Sequence, residues 1–341
     1  MRRAGVLLCW VVACGARTDL GGASRLAAEH DGDAGDAHDA EAGPPPSPCV
    51  ATEPVVLASG GKEIQFVALD DANVYWTDFA LGTVGVVPKA GGAAGVVAPA
   101  RGKPSGLAAR GGTVYWTEFG GDLVASAAAS GGDVTTIASN QDGAYDVALA
   151  DDGALYWTTF RGCTVSSLLD GASAQLDHAS QPFTRIVNAG SLVFWISFEK
   201  KSVERYDAAS HARATLVKGG TTPPFAIATD GARLYFAETS ASDATIASIP
   251  VDGGPITTIF TEPCASDGGL VGECLASLAT DGDFVYFTSA SAVRKVPVAG
   301  GDAALVADHQ TRAFSIAVDD RCVYWSDLAD GTVWAAPKNV Q

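Results

Sequence analysis

The sequence predicts an all-β protein, a seven-bladed β-propeller of four-stranded antiparallel blades whose ring is closed by an N-terminal strand in the last blade. Three observations predict this fold. An aromatic pair recurs seven times, each pair sits in the same pattern of short β-prone segments, and the last repeat lacks its final segment. A repeat of roughly forty residues is one supersecondary unit, which buries its apolar faces only by stacking on further copies.

The aromatic pairs follow one another at intervals of 40, 41, 38, 41, 51 and 38 residues. Self-similarity at such a period is typical of propellers and solenoids. The pairs are Tyr75-Trp76, Tyr115-Trp116, Tyr156-Trp157, Phe194-Trp195, Tyr235-Phe236, Tyr286-Phe287 and Tyr324-Trp325.

Each repeat contains four β-prone segments. In the first repeat an apolar run at 66–69 precedes the aromatic strand, a third segment follows at 83–87, and a fourth at 95–98 comes after the turn Gly91-Gly92. Short strands joined by tight turns pair into one antiparallel sheet. Because one such sheet cannot bury both of its faces, radial stacking of the sheets is the expected solution.

The ends of the chain predict how the ring closes. The last repeat has three segments, near 314–318, 323–325 and 332–336, and the chain then ends at Gln341. The missing fourth strand is predicted at Pro54–Gly60, which precedes the first inner strand. Pairing of this segment with the C-terminal strand removes an open sheet edge, which would otherwise favour aggregation.

The repeats resemble the YWTD propellers of the LDL-receptor type and similar bacterial propeller lipoproteins. The match is full at Tyr75–Asp78, close at the repeats beginning Tyr115, Tyr156 and Tyr324, and decayed in the other three. The resemblance covers about residues 54–338 and implies that the motif is structural, packing each blade and hydrogen-bonding its neighbours. The receptor domains have six blades, whereas this sequence has seven repeats.

The charge of the chain excludes one class of partner. Of the formal net charge of −17, residues 1–48 contribute −3, with four Arg against seven acidic residues, so −14 belongs to the predicted propeller. A nucleic-acid-binding protein needs a basic surface, so nucleic acid is not an expected partner. Direct adhesion to an anionic membrane is disfavoured for the same reason.

The N-terminus has the pattern of an export signal, predicted over residues 1–13. Arg2 and Arg3 precede a short apolar run at 6–12, and Val11–Cys14 resembles a bacterial lipobox, which favours lipidation of Cys14 over an ordinary secretory signal. Residues 14–48 are predicted to be this lipidated Cys and a disordered acidic and proline-rich tether, and residues 49–341 the propeller. The expected location is therefore the cell envelope, at the outer membrane or the surface, with membrane contact only through the lipid; a secreted protein is the alternative.

Five cysteines remain in the predicted propeller. Cys264 and Cys274 flank the insertion that lengthens one interval to 51 residues, and a disulfide between them is expected in an oxidising compartment. Cys322 begins a second strand and Cys49 lies just before the closing strand. Because the second and fourth strands of a blade begin at the same end, a Cys49–Cys322 disulfide is also predicted. Cys163 is predicted to keep its thiol, and no metal or other cofactor is expected.

The candidate ligand residues lie at repeated positions. Phe79, Phe119, Phe160 and Phe198 each come four residues after the first aromatic of their repeat, and an acidic residue precedes several equivalent positions (Asp78, Glu118, Glu238 and Asp327). The structural interpretation is that Phe packs between blades while the acid caps a turn. The functional interpretation is that part of this ring of residues contacts a ligand at the mouth of the channel.

Catalytic sets are scarce in the sequence. His178 and His309 fall in connections on the same predicted face, about three blades apart, and are tentative ligand-face residues; no serine elbow, HExxH or phosphate-loop motif is present. The sequence favours a monomeric, non-enzymatic binding module for an unidentified protein, glycan or small molecule. A lyase- or lactonase-like propeller enzyme with its site at the channel mouth, and a structural envelope protein, are the alternatives.

Overall fold

A computed structural model describes residues 48–220, 222–240, 242–264 and 274–338. In this part of the chain, 28 strands form seven four-stranded antiparallel sheets, each with the innermost strand at one edge. Contacts between the inner strands of successive sheets arrange them as a ring. The predicted seven-bladed propeller is therefore confirmed.

The strands of the first four blades follow the chain without crossovers. Blade 1 consists of β2 (Ile64–Leu69), β3 (Asn73–Asp78), β4 (Thr83–Pro88) and β5 (Gly95–Ala98). Blade 2 consists of β6 (Pro104–Arg110), β7 (Thr113–Glu118), β8 (Leu123–Ala128) and β9 (Thr135–Ser139). Blade 3 consists of β10 (Ala144–Leu149), β11 (Leu155–Thr159), β12 (Thr164–Leu169) and β13 (Ala172–His178). Blade 4 consists of β14 (Phe183–Ala189), β15 (Leu192–Ser197), β16 (Ser202–Asp207) and β17 (Ala212–Lys218).

The last blade takes its outer strand from the start of the described chain, after a short 3₁₀ turn at Pro48–Val50. Blade 5 consists of β18 (Ala226–Thr229), β19 (Arg233–Thr239), β20 (Asp243–Pro250) and β21 (Thr257–Pro263). Blade 6 consists of β22 (Ser277–Thr280), β23 (Phe284–Thr288), β24 (Val293–Pro297) and β25 (Ala304–Ala307). Blade 7 consists of β26 (Ala313–Val318), β27 (Cys322–Asp327), β28 (Thr332–Pro337) and β1 (Val55–Ala58).

Ring closure is confirmed by pairing and by a covalent bond. Strand β1 pairs antiparallel with β28, with Val55 opposite Ala335 and Val56 opposite Trp334. The Cys49–Cys322 disulfide joins the start of this segment to β27, with a Cα–Cα distance of 5.4 Å. The two ends of the described chain therefore share one sheet and one cross-link.

The aromatic strands build the core between blades. The second-strand residues Trp116, Trp157, Trp195 and Trp325 are all buried, with at most 1% of their surface exposed. Each packs in a hydrophobic cluster that draws on neighbouring blades. Burial of one large aromatic side chain removes about 150–250 Å² from water, so these residues dominate the stacking.

The third residue of the motif hydrogen-bonds the next blade, as the resemblance implies. The Thr77 hydroxyl donates to the Ser105 carbonyl at 2.7 Å, and Thr117 donates to the Tyr145 carbonyl at 2.9 Å. Three further contacts repeat the arrangement, from Thr158 to Thr184, from Thr288 to Phe314 and, across the closure, from Ser326 to Gln65. Blades 4 and 5 carry Ile196 and Ala237 at this position, and their side chains have no hydroxyl to donate.

The tyrosine of the motif fixes the preceding turn. Asp70 accepts the backbone N–H groups of Ala72 and Asn73, and its other oxygen accepts the Tyr75 hydroxyl at 2.6 Å. Burial and this hydrogen bond raise the pKa of Tyr75 to about 12. Burial opposes ionisation of Asp70, but the hydrogen bonds outweigh it and lower the pKa of that carboxyl. Blades 5, 6 and 7 repeat the pair at Asp230–Tyr235, Asp281–Tyr286 and Asp319–Tyr324.

The second predicted disulfide is also present. Cys264 and Cys274 are bonded with a Cα–Cα distance of 5.8 Å, and the loop between them lies outside the described residues. Cys163 is a buried thiol in the turn between β11 and β12, 3.5 Å from the carbonyl oxygen of Phe160. The two disulfides indicate an oxidising environment.

The predicted signal at 1–13, Cys14 and nearly all of the 14–48 tether lie outside the described residues. None of the helical structure that is described is long and apolar enough to cross a bilayer.

Candidate functional site at the channel

One layer of the inner strands decides what occupies the channel. Each blade contributes one residue to this layer. In blade 1, Val67 of the inner strand pairs with Trp76, the second aromatic of the motif, and the layer residue is Phe66, which directly precedes Val67. The other blades contribute the equivalent residue. In chain order the seven members are Phe66, Gly106, Asp146, Arg185, Ala226, Ser277 and Ser315. Small residues at four of these positions leave the channel to the large side chains of Phe66 and Arg185.

Arg185 spans the channel. It belongs to blade 4, yet its guanidinium carbon lies 4.5 Å from the ring centroid of Phe66 in blade 1 and 5.8 Å from that of Phe314 in blade 7. A guanidinium over an aromatic face is held by the ring quadrupole. Phe66 is itself braced edge-on by Tyr145 and Phe314, with centroid distances of 5.9 and 6.5 Å. The layer is therefore filled by an aromatic and cationic cluster.

Asp146 is a buried carboxylate in the same layer. One of its oxygens accepts the Val147 N–H at 2.9 Å and the other accepts the Ile186 N–H of blade 4 at 3.2 Å. Burial raises the pKa of Asp146 to about 6, although the positive charge of Arg185 and these hydrogen bonds oppose the rise. Ser315 at the equivalent position in blade 7 likewise accepts the Val67 N–H of the next blade. Part of the role of Asp146 is therefore to hold two blades together.

Gly106 makes room for Asp146. A Cβ at position 106 would lie 2.4 Å from the Cα of Asp146 and 2.7 Å from the carbonyl oxygen of Tyr145. The inner strands of blades 2 and 3 therefore approach so closely that only glycine fits between them.

A cavity of about 440 Å³ fills the channel beyond this layer. Its lining runs from Phe66, Asp146 and Arg185 to the far ends of the inner strands, where Arg110, Asn188 and Val318 lie. The phenylalanines Phe79, Phe119 and Phe160 do not line it. The Phe66–Arg185 cluster thus separates the channel lumen from the face that carries these rings.

Three of the four predicted phenylalanines form a row on that face. The ring centroids of Phe79 and Phe119 are 5.9 Å apart, and those of Phe119 and Phe160 are 6.0 Å apart. The row extends to Tyr145, whose ring centroid lies 5.8 Å from that of Phe160, and Tyr145 in turn contacts Phe66. Phe66 is buried, whereas the rings of Phe79, Phe119, Phe160, Tyr145 and Phe314 are partly buried. The six rings Phe79, Phe119, Phe160, Tyr145, Phe66 and Phe314 form one continuous set of contacts, called the ring path below.

Phe198, the fourth predicted phenylalanine, lies elsewhere. It packs against the core cluster between blades 4 and 5, and among the described residues it makes no ring contact with Phe160. The row therefore ends at blade 3.

Cations lie over the ring path. The Lys103 ammonium lies 5.4 Å from the Phe79 centroid, and the Arg161 guanidinium lies 4.6 Å from that of Phe119. Arg161 also pairs with Asp122 and with Asp142. Together with Arg185, these residues place three cations beside the rings of a strongly acidic protein.

Three of the four acidic residues of the motif accept backbone N–H groups of turns and connections, in line with the structural interpretation. Asp78 accepts the N–H groups of Lys62, Glu63 and Leu81, and Asp327 accepts those of Thr311 and Arg312. Glu118 accepts the Gly102 N–H, the Trp116 indole N–H and the Arg101 guanidinium. Burial raises the pKa of Glu238. Asp78, Glu118 and Asp327 therefore each join the turn after the second strand to the segment that enters the same blade.

Both predicted histidines are exposed. His178 is the last residue of β13 rather than part of the connection, and it is exposed. The His309 side chain is 90% exposed and lies 2.9 Å from Asp308. Neither lines the channel, and the described residues contain no group of three metal-ligating side chains that converge.

Sequence reasoning missed Phe66, Tyr145, Asp146, Arg185 and Phe314. The available signal was positional: Phe66, Asp146 and Arg185 break a pattern of small residues at one position of the inner strands, and Tyr145 and Phe314 occupy the preceding position. The repeat alignment shows that break, whereas the contacts among them appear only when the ring closes.

Comparisons with known proteins show the fold alone. No protein-family model and no curated protein sequence matches the chain. Among solved structures, a streptogramin B lyase has a TM-score of 0.68 and virginiamycin B lyase from Staphylococcus aureus one of 0.67; each is 15% identical and covers 83% of this chain and 96% or 97% of its own. A nidogen/laminin complex reaches 0.54 at 16% identity over 72% of this chain and 97% of its own. A gluconolactonase from Xanthomonas campestris reaches 0.52 at 16% identity over 83% and 88%. Membership of the YWTD family therefore stays a prediction.

Proposed function

We propose that this chain is an exported, non-enzymatic binding module, tethered at the cell envelope, whose ligand binds on the ring path. The observation that carries the proposal is that six aromatic rings from four blades form one continuous set of contacts. The cations of Lys103, Arg161 and Arg185 lie over three of these rings. Partly exposed rings in contact offer a stacking surface, which an isolated surface phenylalanine does not.

The chemistry of the ring path selects a ligand with a flat apolar face and an acidic group. The rings supply the stacking surface, and cations that lie over them supply charge-assisted hydrogen bonds at its margin. Lys103 and Arg185 supply positive charge in this region of a strongly acidic protein, which favours an anionic ligand here, while the charge of Arg161 is balanced by Asp122 and Asp142. A side chain of a partner protein, a small molecule or an acidic glycan with apolar substituents has this character.

The probe 8-anilinonaphthalene-1-sulfonate tests the site, because it combines flat rings with a sulfonate. Phe119→Leu removes the middle ring of the row, while the matched control Phe284→Leu removes a ring that carries its own cation, Lys295 at 4.9 Å, outside the ring path. We expect probe fluorescence with the folded wild type, weaker binding by Phe119→Leu and no change in Phe284→Leu. Equal binding by all three proteins contradicts the proposal.

A pull-down from envelope extract then tests the function. Wild type and Phe119→Leu are immobilised in parallel, and the retained molecules are compared by mass spectrometry. Retention by the wild type alone supports a binding module with its site on the ring path. Identical retention by the two proteins places binding elsewhere, and the absence of any specific retention favours a structural envelope protein.

An enzyme is the second candidate, favoured by one observation. Asp146 is a buried carboxyl in the channel with its pKa raised to about 6, beside Arg185, and such groups serve as general acids or bases. Two observations weigh against it: both Asp146 oxygens accept backbone N–H groups, and the described histidines lie outside the channel. One similar structure is a lyase that is catalytically inactive as a histidine-to-alanine variant.

Turnover decides between the two functions. Wild type and Asp146→Asn are incubated with quinupristin and, separately, with gluconolactone, and ring opening is followed by mass spectrometry. The binding-module proposal expects no turnover of either compound. Turnover by the wild type that is lost in Asp146→Asn establishes the enzyme instead.

A further inference from the structure

A second cavity, of about 500 Å³, lies between blades 2 and 3. One wall is the end of β9 and the connection that follows it, from Ile137 to Asp142. The other is the face of blade 3, with Trp157, Ser166 and Gln175. This cavity is called the interblade groove below. No ring of the ring path lines it, so it is separate from the site of the proposed function.

One cross-strand position in the lining of the groove carries a small residue. In each blade a third-strand residue pairs with the second aromatic of the motif, and in blade 3 this residue is Ser166, opposite Trp157. In blade 7 the equivalent Trp334 stacks on Trp325, with centroids 6.1 Å apart and planes 5° from parallel.

Blades 4 and 6 fill the same position with charged side chains. Glu204 stands opposite Trp195 and accepts the Ser202 hydroxyl at 2.6 Å. Arg294 stands opposite Phe287, 5.2 Å from its ring centroid, and pairs with Glu262. Ser166 therefore leaves a space that bulkier residues occupy in blades 4, 6 and 7, while blades 1, 2 and 5 carry the small residues Gly85, Ala125 and Ala247 there.

The lining of the groove is polar and almost uncharged. Hydroxyl groups come from Ser139, Thr159, Thr164, Ser166 and Ser173, and carboxamides from Asn140, Gln141 and Gln175. The single ionisable lining residue is Asp142, and the Arg161 guanidinium is already 2.7 Å from its carboxylate.

Some polar groups of this lining are hydrogen-bonded to one another, and others are available to a ligand. The Trp157 indole N–H donates to the Gln141 side-chain oxygen at 2.8 Å, and the Thr159 and Thr164 hydroxyls are 2.8 Å apart. The side chains of Ser166 and Gln175, in contrast, have no hydrogen-bond partner among the described residues. A ligand in the groove would meet unsatisfied donors and acceptors on a fixed frame.

We infer that the interblade groove binds a neutral sugar unit. Hydroxyls and carboxamides donate and accept hydrogen bonds in similar number, which suits a polyhydroxylated ligand. An anionic ligand finds no cation in the lining, and an apolar one would strip water from eight polar side chains without replacing their hydrogen bonds. The volume falls within the roughly 300–1,000 Å³ of small-molecule sites.

Saturation-transfer NMR on glucose, galactose, mannose and N-acetylglucosamine tests the inference. Ser166→Trp copies the arrangement of blade 7 and fills the groove. Gln175→Ala removes one exposed carboxamide. The control is Thr135→Ala, because Thr135 lies on β9, which forms part of the groove wall, but does not line the groove. We expect transfer to at least one sugar with the wild type and Thr135→Ala, a severalfold weaker signal with Gln175→Ala and none with Ser166→Trp.

Two results overturn the inference: no transfer to any of the four sugars from the wild type, or undiminished transfer from Ser166→Trp. Circular dichroism and thermal melting establish that each variant is folded. If Ser166→Trp is not, Gln175→Ala decides, because its side chain is exposed and bears no packing role. Loss of dye binding in Phe119→Leu reports on the ring path alone, so failure of the proposed function and failure of this inference are distinguishable.

Discussion

Removal of the Cys49–Cys322 disulfide tests whether covalent closure stabilises the ring. The perturbation is the double variant Cys49→Ser/Cys322→Ser, which keeps β1 and its hydrogen bonds to β28 while cutting the cross-link. Strand β1 is only four residues long, so without the disulfide its pairing must compete with the entropy of the released N-terminal segment.

The magnitude follows from the length of chain that each disulfide closes. The cysteines are 273 positions apart, and the loop-entropy relation then gives about 5.6 kcal/mol at 25 °C. Cys264 and Cys274 are 10 positions apart, which gives about 2.7 kcal/mol by the same relation. Measured effects are commonly smaller, so we expect a loss of roughly 3–5 kcal/mol for the ring-closing bridge and about half that for the short one.

Urea denaturation of the wild type and of the two double variants measures this difference. Hydrogen exchange adds a local readout, since the β1 and β28 amides should lose protection first when the cross-link is cut. Two results refute the reasoning: a ring-closing variant as stable as the wild type, or a larger loss for the Cys264→Ser/Cys274→Ser variant than for the ring-closing one.

The remaining predictions concern the contacts between blades and the buried carboxyl. Thr117→Val keeps the shape of the side chain but removes its hydrogen bond to the Tyr145 carbonyl, and should lower the free energy of unfolding by about 1 kcal/mol in urea titrations. Gly106→Ala forces apart backbones that approach within van der Waals contact, and a loss of about 1–3 kcal/mol with a lower melting temperature is expected. Asp146 has a pKa raised from 3.8 to about 6, so the folded state binds more protons than the unfolded state between these values, and stability should fall by up to about 3 kcal/mol as the pH rises through that window. Asp146→Asn should abolish that part of the pH dependence, and an unchanged profile by thermal melting would contradict the assignment.

The architecture was predictable because its determinants are local and repeated. The aromatic pairs set the spacing of the second strands, and the missing last segment pointed to β1 as the closing strand. The Cys49–Cys322 pairing followed from strand order, since the two positions lie at the same end of adjacent strands, and the Cys264–Cys274 pairing followed from the insertion that these cysteines flank. These inferences required only the direction of each strand within a blade.

The site was less predictable because it depends on contacts across the ring. Phe66 and Arg185 are far apart in sequence and meet only because their blades lie on opposite sides of the same channel. Phe198 occupies the same repeat position as Phe160, yet it packs into a core cluster. The position of a residue in the repeat predicts its blade and its level along the channel axis. Its contacts depend on the side chains that the neighbouring blades place beside it.

The ring path coincides with the blades that keep the motif best. All six of its rings belong to blades 1, 2, 3 and 7, which are the blades whose motif is full or nearly so. In these blades the motif hydroxyl bonds the inner strand of the next blade, as Thr288 of blade 6 also does, whereas Ile196 and Ala237 cannot do so. A binding surface shared among several blades needs those blades held in fixed register, because a displacement of about 0.5 Å already weakens a designed constellation. The interblade hydrogen bonds of blades 1, 2, 3 and 7 therefore help to hold the arc that carries the ring path in fixed register.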